Sequence, residues 1–335
     1  MKKRGTGIAA MFYPIGSTSS PNPASAFIKM NQDGTAILYI GTTDGGQGSV
    51  TILAQIAAEE LGIEFDKVAV VASDTKLSPY DHGPVASRST YIAGTAVRQA
   101  AAQAKRILLE VAAEELNVNP DGLAASGGFI YLQDFPERKL AISAVSQKAL
   151  KSKGRPPIGC ASFNPATTGL DKETGHGKPY GAYVFATQVA EVEVDTETGE
   201  LEVLKITAVH DCGRAINPMF VEGQVEGGVA MGLGFGVMEK MVMEQGKVRN
   251  PQFTDYIIPT ALDVPQIVTR IVERPEATGP YGAKGIGEPA LLPTAPAIIN
   301  AIQNAVDVRI RDLPATPERI LKALEEKALR EASEQ

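Results

Sequence analysis

The sequence predicts an α+β fold built from two related units, each a β-hairpin followed by a polar loop and a helix. In the first unit, "FIKMNQDGTAILYIG" alternates apolar and polar residues around a turn. The glycine-rich "TTDGGQG" then leads into "SVTILAQIAAEELGI", whose apolar spacing is helical. In the second unit, "VAEVEVDTETGELEVLKITAV" passes through "HDCGRAINP" into "MFVEGQVEGGVAMGLGFGVMEK". Strands and helices interleave without strict βαβ alternation, which favours the α+β class. Internal duplication and chance similarity of two ordinary units both stay open.

Further elements lie between and after these units. "SRSTYIAGTAVRQAAAQAKRILLEVAAEELNV" predicts a long alanine-rich helix capped by serine, "GGFIYLQ" a short strand, and "LAISAVSQKALKSKGRPP" another helix. "TPERILKALEEKALREASEQ" is typical of an amphipathic helix. Residues 164–182 have the composition of an exposed connection. We therefore predict two α+β subdomains, 1–175 and 176–335.

Composition excludes several classes of function. The chain has 335 residues, 44% of them hydrophobic, and a net charge of −7, which argues against nucleic-acid partners and anionic membrane surfaces. No apolar run approaches the roughly 20 residues needed to span a bilayer, and the short, broken apolar segment at the N-terminus does not predict a secretory signal. Cys160 and Cys212 form no CxxC spacing, so we predict buried thiols in a reducing cytoplasm.

The stretch "GAKGIGEPALLPTAPAIINAI" places a glutamate where a loop is predicted to become a helix. Because Pro289 suits a first helical position, Glu288 should lie at or beside the N-cap, where the helix dipole favours an ionised carboxylate. Such a group is either a helix cap or a base held in a dry site. From this stretch alone, both interpretations stay open.

No familiar catalytic or metal-binding motif occurs in the sequence. The three histidines and two cysteines show no paired ligand spacing, and HExxH, GxSxG and Walker A motifs are missing, so a zinc or iron site ligated by protein is not predicted. What remains are glycine-flanked loops at 45–48, 83–90, 222–228 and 282–288. Glycines let a backbone approach a ligand, and free amides at helix starts bind anions. Together the loops predict a cradle for a large, polar, phosphate-bearing cofactor, whereas each loop alone is better explained as a tight turn or as close helix packing.

Five motifs together indicate a family. The order and spacing of "GTTDGGQG", "VASRST", "VHDCGRAINPMFVEGQVEGGVAMGLG", "NPQFTDYIIPT" and "GAKGIGEPALLPTAPAIINAI" resemble the C-terminal half of the molybdopterin-binding domain in xanthine dehydrogenase-type molybdenum hydroxylases. The likeness runs from about Lys3 to about Leu321. It implies a molybdenum–molybdopterin cofactor, in the cytosine dinucleotide form, whose metal is held by the pterin dithiolene and not by protein side chains.

The resemblance also implies roles for individual residues. Glu288 matches the catalytic base, which takes the proton of a molybdenum-bound hydroxyl group before its oxygen attacks an electron-poor carbon. The residues implied in cofactor binding are Gly46, Gln47, Gly48, Ser87, Arg88, Ser89, Thr90, Gln224, Lys284 and Gly285. Among them the two glutamines should hydrogen-bond the pterin, and 87–90 should wrap its pterin or phosphate end. Tyr13, in the loop-like "MFYPIGS", is predicted to line the substrate pocket, with a packing tyrosine as the alternative.

The sequence departs from single-chain members of the family. It has none of the glycine-rich "GGGFGG"-type and "RGFG"-type segments that those members carry upstream, and no iron–sulfur or flavin domain. This resembles the medium molybdopterin subunit of nicotinate dehydrogenase. It implies a larger molybdopterin-binding partner, a 2Fe–2S subunit, an FAD subunit and a small-molecule substrate such as nicotinate, hydroxylated with oxygen from water. A purine or aldehyde substrate, a non-catalytic scaffold and a self-sufficient small-molecule binder are the alternatives.

Overall fold

The computed structural model describes residues 1–17 and 21–333, and this part of the chain forms a mixed α+β fold, as predicted. Its helices are α1 (Ser49–Leu61), α2 (Gly94–Leu116), α3 (Ile142–Lys151), α4 (Pro218–Val237), α5 (Thr294–Val306) and α6 (Pro317–Ser333). Its strands are β1 (Lys2–Pro14), β2 (Ala24–Met30), β3 (Ala36–Ile40), β4 (Val68–Ala72), β5 (Leu123–Ser126), β6 (Phe129–Leu132), β7 (Phe135–Ala141), β8 (Ile158–Phe163), β9 (Tyr183–Asp195), β10 (Leu201–Asp211), β11 (Met243–Glu244), β12 (Lys247–Val248) and β13 (Gln266–Val272).

Two four-stranded sheets share one topology. The first sheet has the order β4-β3-β2-β8 and the second has the order β13-β10-β9-β1. In each, an antiparallel hairpin (β2–β3 or β9–β10) leads through a helix to a parallel strand, and an antiparallel edge strand completes the sheet. The predicted hairpin–loop–helix units are therefore confirmed, and each extends to a parallel strand that the sequence analysis did not foresee.

The two edge strands are covered by helices in the same way. Helix α5 packs on β1, and α2 packs on β8. A Cβ atom on Gly7 would lie 2.1 Å from the backbone N of Ala301, and a Cβ atom on Gly159 would lie 1.8 Å from the carbonyl O of Ala100. Only glycine permits so close an approach of strand and helix. Strand β1 was not predicted, because it pairs with β9 and packs against α5, both of which are distant in sequence.

The hydrophobic core consists of two clusters. The first lies between the first sheet and helices α1 to α3, and the second lies between the second sheet, α4 and α5. Strand β1 belongs to the second sheet although it precedes every other element, so the chain crosses between the two halves near its start. The division into 1–175 and 176–335 stays a prediction.

Two local predictions are wrong. Helix α2 begins after a π-helical turn at Ser89–Ala93, and no side chain caps either segment, so the predicted serine cap does not form. Cys160 is exposed, because it lies on the outward face of the edge strand β8, whereas Cys212 is buried as predicted. Within residues 1–17 and 21–333, no helix is long and apolar enough to cross a membrane.

Candidate active site

A cavity of about 470 Å³ lies where four segments of the chain meet. Its walls come from the start of α1 (43–52), the turn before α2 (84–90), the loop and first turns of α4 (212–224) and the loop at 284–288. These segments contain or adjoin the four glycine-flanked loops singled out in the sequence. The fold therefore brings the predicted loops to one place.

Glu288 lies at the edge of this cavity and is exposed. Its Oε2 atom accepts a hydrogen bond from the Tyr13 hydroxyl at 2.6 Å and another from the Ser87 hydroxyl at 2.7 Å. Glu288 was predicted at or beside the N-cap of the long helix; it does lie directly after an N-cap, Gly287, but that of a short turn. It begins a 3-10 turn (Glu288–Ala290), and α5 starts only at Thr294, since Pro293 ends the intervening segment. Hydroxyl groups, not a helix terminus, hold the carboxylate.

Tyr13 occupies the end of strand β1 and not the predicted loop. Burial raises the pKa of its phenol, and the hydrogen bond to Glu288 raises it further. The phenol therefore stays protonated and remains a donor to the carboxylate over the range in which proteins are folded. The structure places Tyr13 beside the candidate base and not among the residues that line the cavity, so its place in the substrate pocket stays a prediction.

Ser87 is held in an unusual backbone conformation. Its φ angle is 53° and that of Ala86 is 52°, so two consecutive non-glycine residues lie in the left-handed region. Such conformations cost of order 1–3 kcal/mol each and cluster at functional sites. Gly285 presses against this turn, because a Cβ atom there would lie 1.7 Å from the carbonyl O of Ser87. The Ser87 hydroxyl in turn accepts a hydrogen bond from the Glu288 backbone N–H at 3.0 Å.

Arg88 does not contribute its side chain to the cavity, contrary to the prediction that it contacts the cofactor. The guanidinium is fully buried, lies 2.5 Å from the Asp81 carboxylate and donates to the carbonyl groups of Gly83 and Asn22. Burial of a charge requires such pairing. The residue anchors the turn that presents Ser87, whereas Ser89 and Thr90, on the same turn, do line the cavity.

In the loop before α1, an aspartate side chain accepts hydrogen bonds from three nearby backbone amides. The carboxylate of Asp44 accepts from the backbone N–H groups of Gly46, Gly48 and Val50 at 2.9, 3.2 and 3.0 Å. Burial opposes ionisation of Asp44, but these backbone hydrogen bonds outweigh it and lower the pKa. At this helix start the Val50 amide is therefore not free for an anion, in contrast to the free amides expected for such loops. Neither Gly46 nor Gly48, both predicted to bind the cofactor, lines the cavity.

Both predicted glutamines line the cavity. The Gln47 side chain donates to the Thr43 carbonyl at 2.9 Å and accepts from the Gly45 N–H at 2.6 Å, so it also braces its own loop. Gln224 projects from α4 towards Gly287. A Cβ atom on Gly287 would lie 3.7 Å from Ser87 Oγ and 4.0 Å from Gln224 Oε1, so the missing side chain leaves space between these polar groups.

Lys284 and Gly285 also line the cavity, but a buried carboxylate already neutralises the charge of Lys284. Its Nζ atom donates to Asp211 at 2.7 Å, and both side chains are less than a tenth exposed. Beside them, burial first and nearby carboxylates second raise the pKa of the Cys212 thiol to about 12. The thiol is therefore protonated and contributes an uncharged group to the cavity wall.

Arg214 is a charged cavity residue that the sequence analysis did not single out. It is exposed, lines the wall, and has no ion pair or side-chain hydrogen bond within residues 1–17 and 21–333. Arg88 and Lys284 are both neutralised by carboxylates, so the positive charge available to an anionic ligand comes from Arg214. The signal was present in "CGRAINP", directly before a predicted helix.

Comparison with known proteins identifies the family. The family model of the molybdopterin cofactor-binding domain matches residues 1–265. The xanthine dehydrogenase molybdenum-binding subunit of Escherichia coli O157:H7 is 36% identical over 327 residues, which cover 95% of this chain and 42% of that protein. The nicotine 6-hydroxylase large subunit of Paenarthrobacter nicotinovorans is 32% identical over 303 residues, covering 89% and 36%. The crystal structure of quinoline 2-oxidoreductase from Pseudomonas putida 86 superposes with a TM-score of 0.88 at 28% identity, covering 97% and 42%.

The chain therefore belongs to the molybdopterin-binding domains of the xanthine dehydrogenase-type molybdenum hydroxylases and corresponds to their C-terminal half. It spans about two fifths of the length of these relatives. The cavity fits a molybdopterin cofactor, since amide and hydroxyl groups line it and the space at Gly287 opens beside Glu288. Among the described residues, no group of three or more His, Cys, Asp or Glu side chains could hold a metal ion by itself.

Proposed function

We propose that this chain carries the catalytic base of a multi-subunit molybdenum hydroxylase, and that the substrate is an N-heterocycle such as nicotinate, hydroxylated at an electron-poor carbon with oxygen from water. One observation carries the proposal. The Glu288 carboxylate is fixed by Tyr13 and Ser87 at the edge of a cavity whose wall holds Gln47 and Gln224. A scaffold would need neither an oriented carboxylate nor both glutamines in these positions.

The residues of this chain divide the work at the site. When bound, the molybdenum cofactor supplies the oxidation–reduction chemistry that removes two electrons from the substrate carbon. In this proposal Glu288 would accept the proton released by the reaction, a role that requires its carboxylate within hydrogen-bonding reach of that proton. Gln224 would offer an amide donor and acceptor to the cofactor. The Gln47 amide already donates to Thr43 and Ser49, so it would offer the cofactor its carbonyl oxygen. Ser89, Thr90 and Arg214 would contact its phosphate-bearing part.

The substrate class is supported by the names of the relatives. Nicotine, quinoline and xanthine, which occur in those names, are all nitrogen heterocycles, and attack on a carbon beside ring nitrogen suits this chemistry. Other relatives and neighbours are carbon monoxide dehydrogenases and aldehyde oxidoreductases. Purine and aldehyde hydroxylation are therefore the alternatives to nicotinate.

An uncovered face of the second sheet supports a requirement for a partner chain. The outward side chains of Ile8, Phe12 and Phe185 are 60%, 67% and 57% exposed, and Phe12 is paired in register with Phe185. This apolar face adjoins Tyr13 and hence the base. We infer that a larger molybdopterin-binding chain covers it, and obligate interfaces of this kind often exceed about 2,000 Å². Separate 2Fe–2S and FAD subunits would carry the electrons away, in the cytoplasm.

The proposal is tested by expressing the chain with and without a larger molybdopterin-binding chain in a host that makes the cofactor. We expect molybdenum and hydroxylation of nicotinate, xanthine or benzaldehyde only in the complex, with label from H₂¹⁸O in the product. Stoichiometric molybdenum and activity in the chain alone would contradict the need for a partner. A complex with molybdenum but inactive on every substrate would favour the scaffold.

The role of the base is tested by Glu288→Gln, with Glu173→Gln in an exposed loop as the matched control. Glutamine keeps the shape but cannot take up the proton, so turnover should fall at least about 10²-fold, the lower end for loss of a general base. Molybdenum per protein should be unchanged, as measured by elemental analysis. Full activity of Glu288→Gln would show that another group is the base.

A further inference from the structure

Three side chains from distant parts of the chain meet at one oxygen atom. The hydroxyl groups of Tyr13 and Ser87 both donate to Oε2 of Glu288, at 2.6 and 2.7 Å. In the part of the chain that the structure describes, no hydrogen bond or ion pair reaches Oε1 of Glu288. The two carboxylate oxygens are therefore distinct: Oε2 accepts two hydrogen bonds from side chains, and Oε1 accepts none within the described residues.

Both donors are held by rigid backbone. Tyr13 is at the end of a long strand, in register with Val184 of β9. Ser87 sits in the strained turn, which is tied to the strand side by the hydrogen bond from the Gly16 N–H to the Ala86 carbonyl at 3.0 Å. The buried Arg88–Asp81 pair fixes the residue that follows. These anchors fix the backbone positions from which the two hydroxyl groups reach Glu288.

We propose that Tyr13 and Ser87 are positioning residues for Glu288, which occupy its Oε2 atom and leave Oε1 as the oxygen that accepts a proton during turnover. This inference rests on the proposed function. The elevated pKa of the Tyr13 phenol is consistent with it, because the phenol keeps its proton as a donor while the carboxylate changes charge. The same geometry gives Tyr13 a different role from substrate binding, since its proton is directed to Glu288.

The contact itself is tested without any activity measurement. The full chain is prepared, alone or in its complex, with ¹³C at the tyrosine ζ position, and the Tyr13 resonance is identified by its loss in Tyr13→Phe. The wild-type Tyr13 resonance should show no titration while the protein is folded. In Glu288→Gln deprotonation should begin at lower pH, because burial still raises the pKa of Tyr13 but the negative acceptor is gone. Glu173→Gln should leave it unchanged. An unaltered Tyr13 titration in Glu288→Gln would overturn the proposal.

The positioning role is tested with Tyr13→Phe and Ser87→Gly in the molybdenum-loaded complex, and Tyr39→Phe on strand β3 is the control. Each variant should lower kcat about 10- to 100-fold, the range for a lost hydrogen bond to a charged group, with little change in KM. Ser87→Gly should melt close to the wild type, because relief of the left-handed backbone offsets the two lost hydrogen bonds to Glu288. Its loss of rate then cannot come from unfolding.

Other outcomes contradict the inference in identifiable ways. A raised KM with unchanged kcat would show that Tyr13 contacts the substrate. A loss of rate in proportion to lost molybdenum would show that Ser87 binds the cofactor. If the wild-type complex hydroxylates none of the three substrates, the proposed function fails, and the Tyr13 titration still decides whether the hydroxyl engages Glu288.

Discussion

Replacing Arg88 by methionine should destabilise the protein without acting on the cofactor directly. The guanidinium is 0% exposed and the Asp81 carboxylate 1%, and they lie 2.5 Å apart. Asp81 also accepts from the Thr42 hydroxyl at 2.8 Å and the Gly83 N–H at 2.7 Å. Methionine fills a similar volume but leaves the Asp81 charge buried without a counter-ion.

The size of the effect follows from that burial. Removing one partner of a buried ion pair typically costs 3–5 kcal/mol, roughly a third of the total stability of many proteins. Replacing both residues, Arg88→Met with Asp81→Asn, should recover part of this loss, because the orphaned charge is then removed. Arg88→Lys should fall between, since an ammonium group cannot reproduce the fork that contacts Asp81, Gly83 and Asn22.

Urea unfolding followed by circular dichroism measures these differences, with all variants prepared in the same form. The matched control is Arg106→Met, whose side chain is 49% exposed and pairs on the surface, so its cost should stay below about 1 kcal/mol. Molybdenum per folded protein should not change in Arg88→Met. A variant as stable as the wild type that nevertheless loses molybdenum would refute this reasoning and make Arg88 a cofactor ligand.

Three further predictions concern the cavity and the core behind it. Gln47→Ala and Gln224→Ala should each lower the amount of molybdenum per protein. Gln47→Ala should also reduce stability by roughly 0.5–1.5 kcal/mol per lost loop hydrogen bond. Full molybdenum occupancy in both variants would show that the glutamines are turn residues only. Burial lowers the pKa of His210 from 6.5 to about 4. Because the unfolded chain takes up the proton first, the free energy of unfolding should fall by about 3 kcal/mol as the pH drops from 6.5 to 4. The variant His210→Leu should show no such loss. Arg214→Gln should weaken retention of the cofactor during dialysis at raised salt, and retention equal to wild type would show that its charge contacts no phosphate.

Much of the local architecture could be predicted from sequence. The alternation around "NQDG" and "TETG" located both hairpins, and the apolar spacing located α1, α4 and the helices between them, because these patterns depend on neighbours within a few residues. The order of the glycine-flanked motifs indicated the family, which the comparisons confirmed. Glu288 was singled out before any geometry was available.

Only the tertiary structure decided which groups face each other. The Tyr13 hydroxyl donates to Glu288, which lies 275 residues away in sequence. Strand β1 forms because it pairs with β9 and packs against α5. The Arg88 side chain pairs with Asp81 instead of lining the cavity, since a buried guanidinium requires a carboxylate partner. Within the described residues, Arg214 is then the cation of the cavity wall that has no ion pair. Periodicity records which face of an element is buried, but it does not record the element against which that face packs. Side-chain pairing across the chain is therefore set by packing and desolvation, which no local pattern of residues contains.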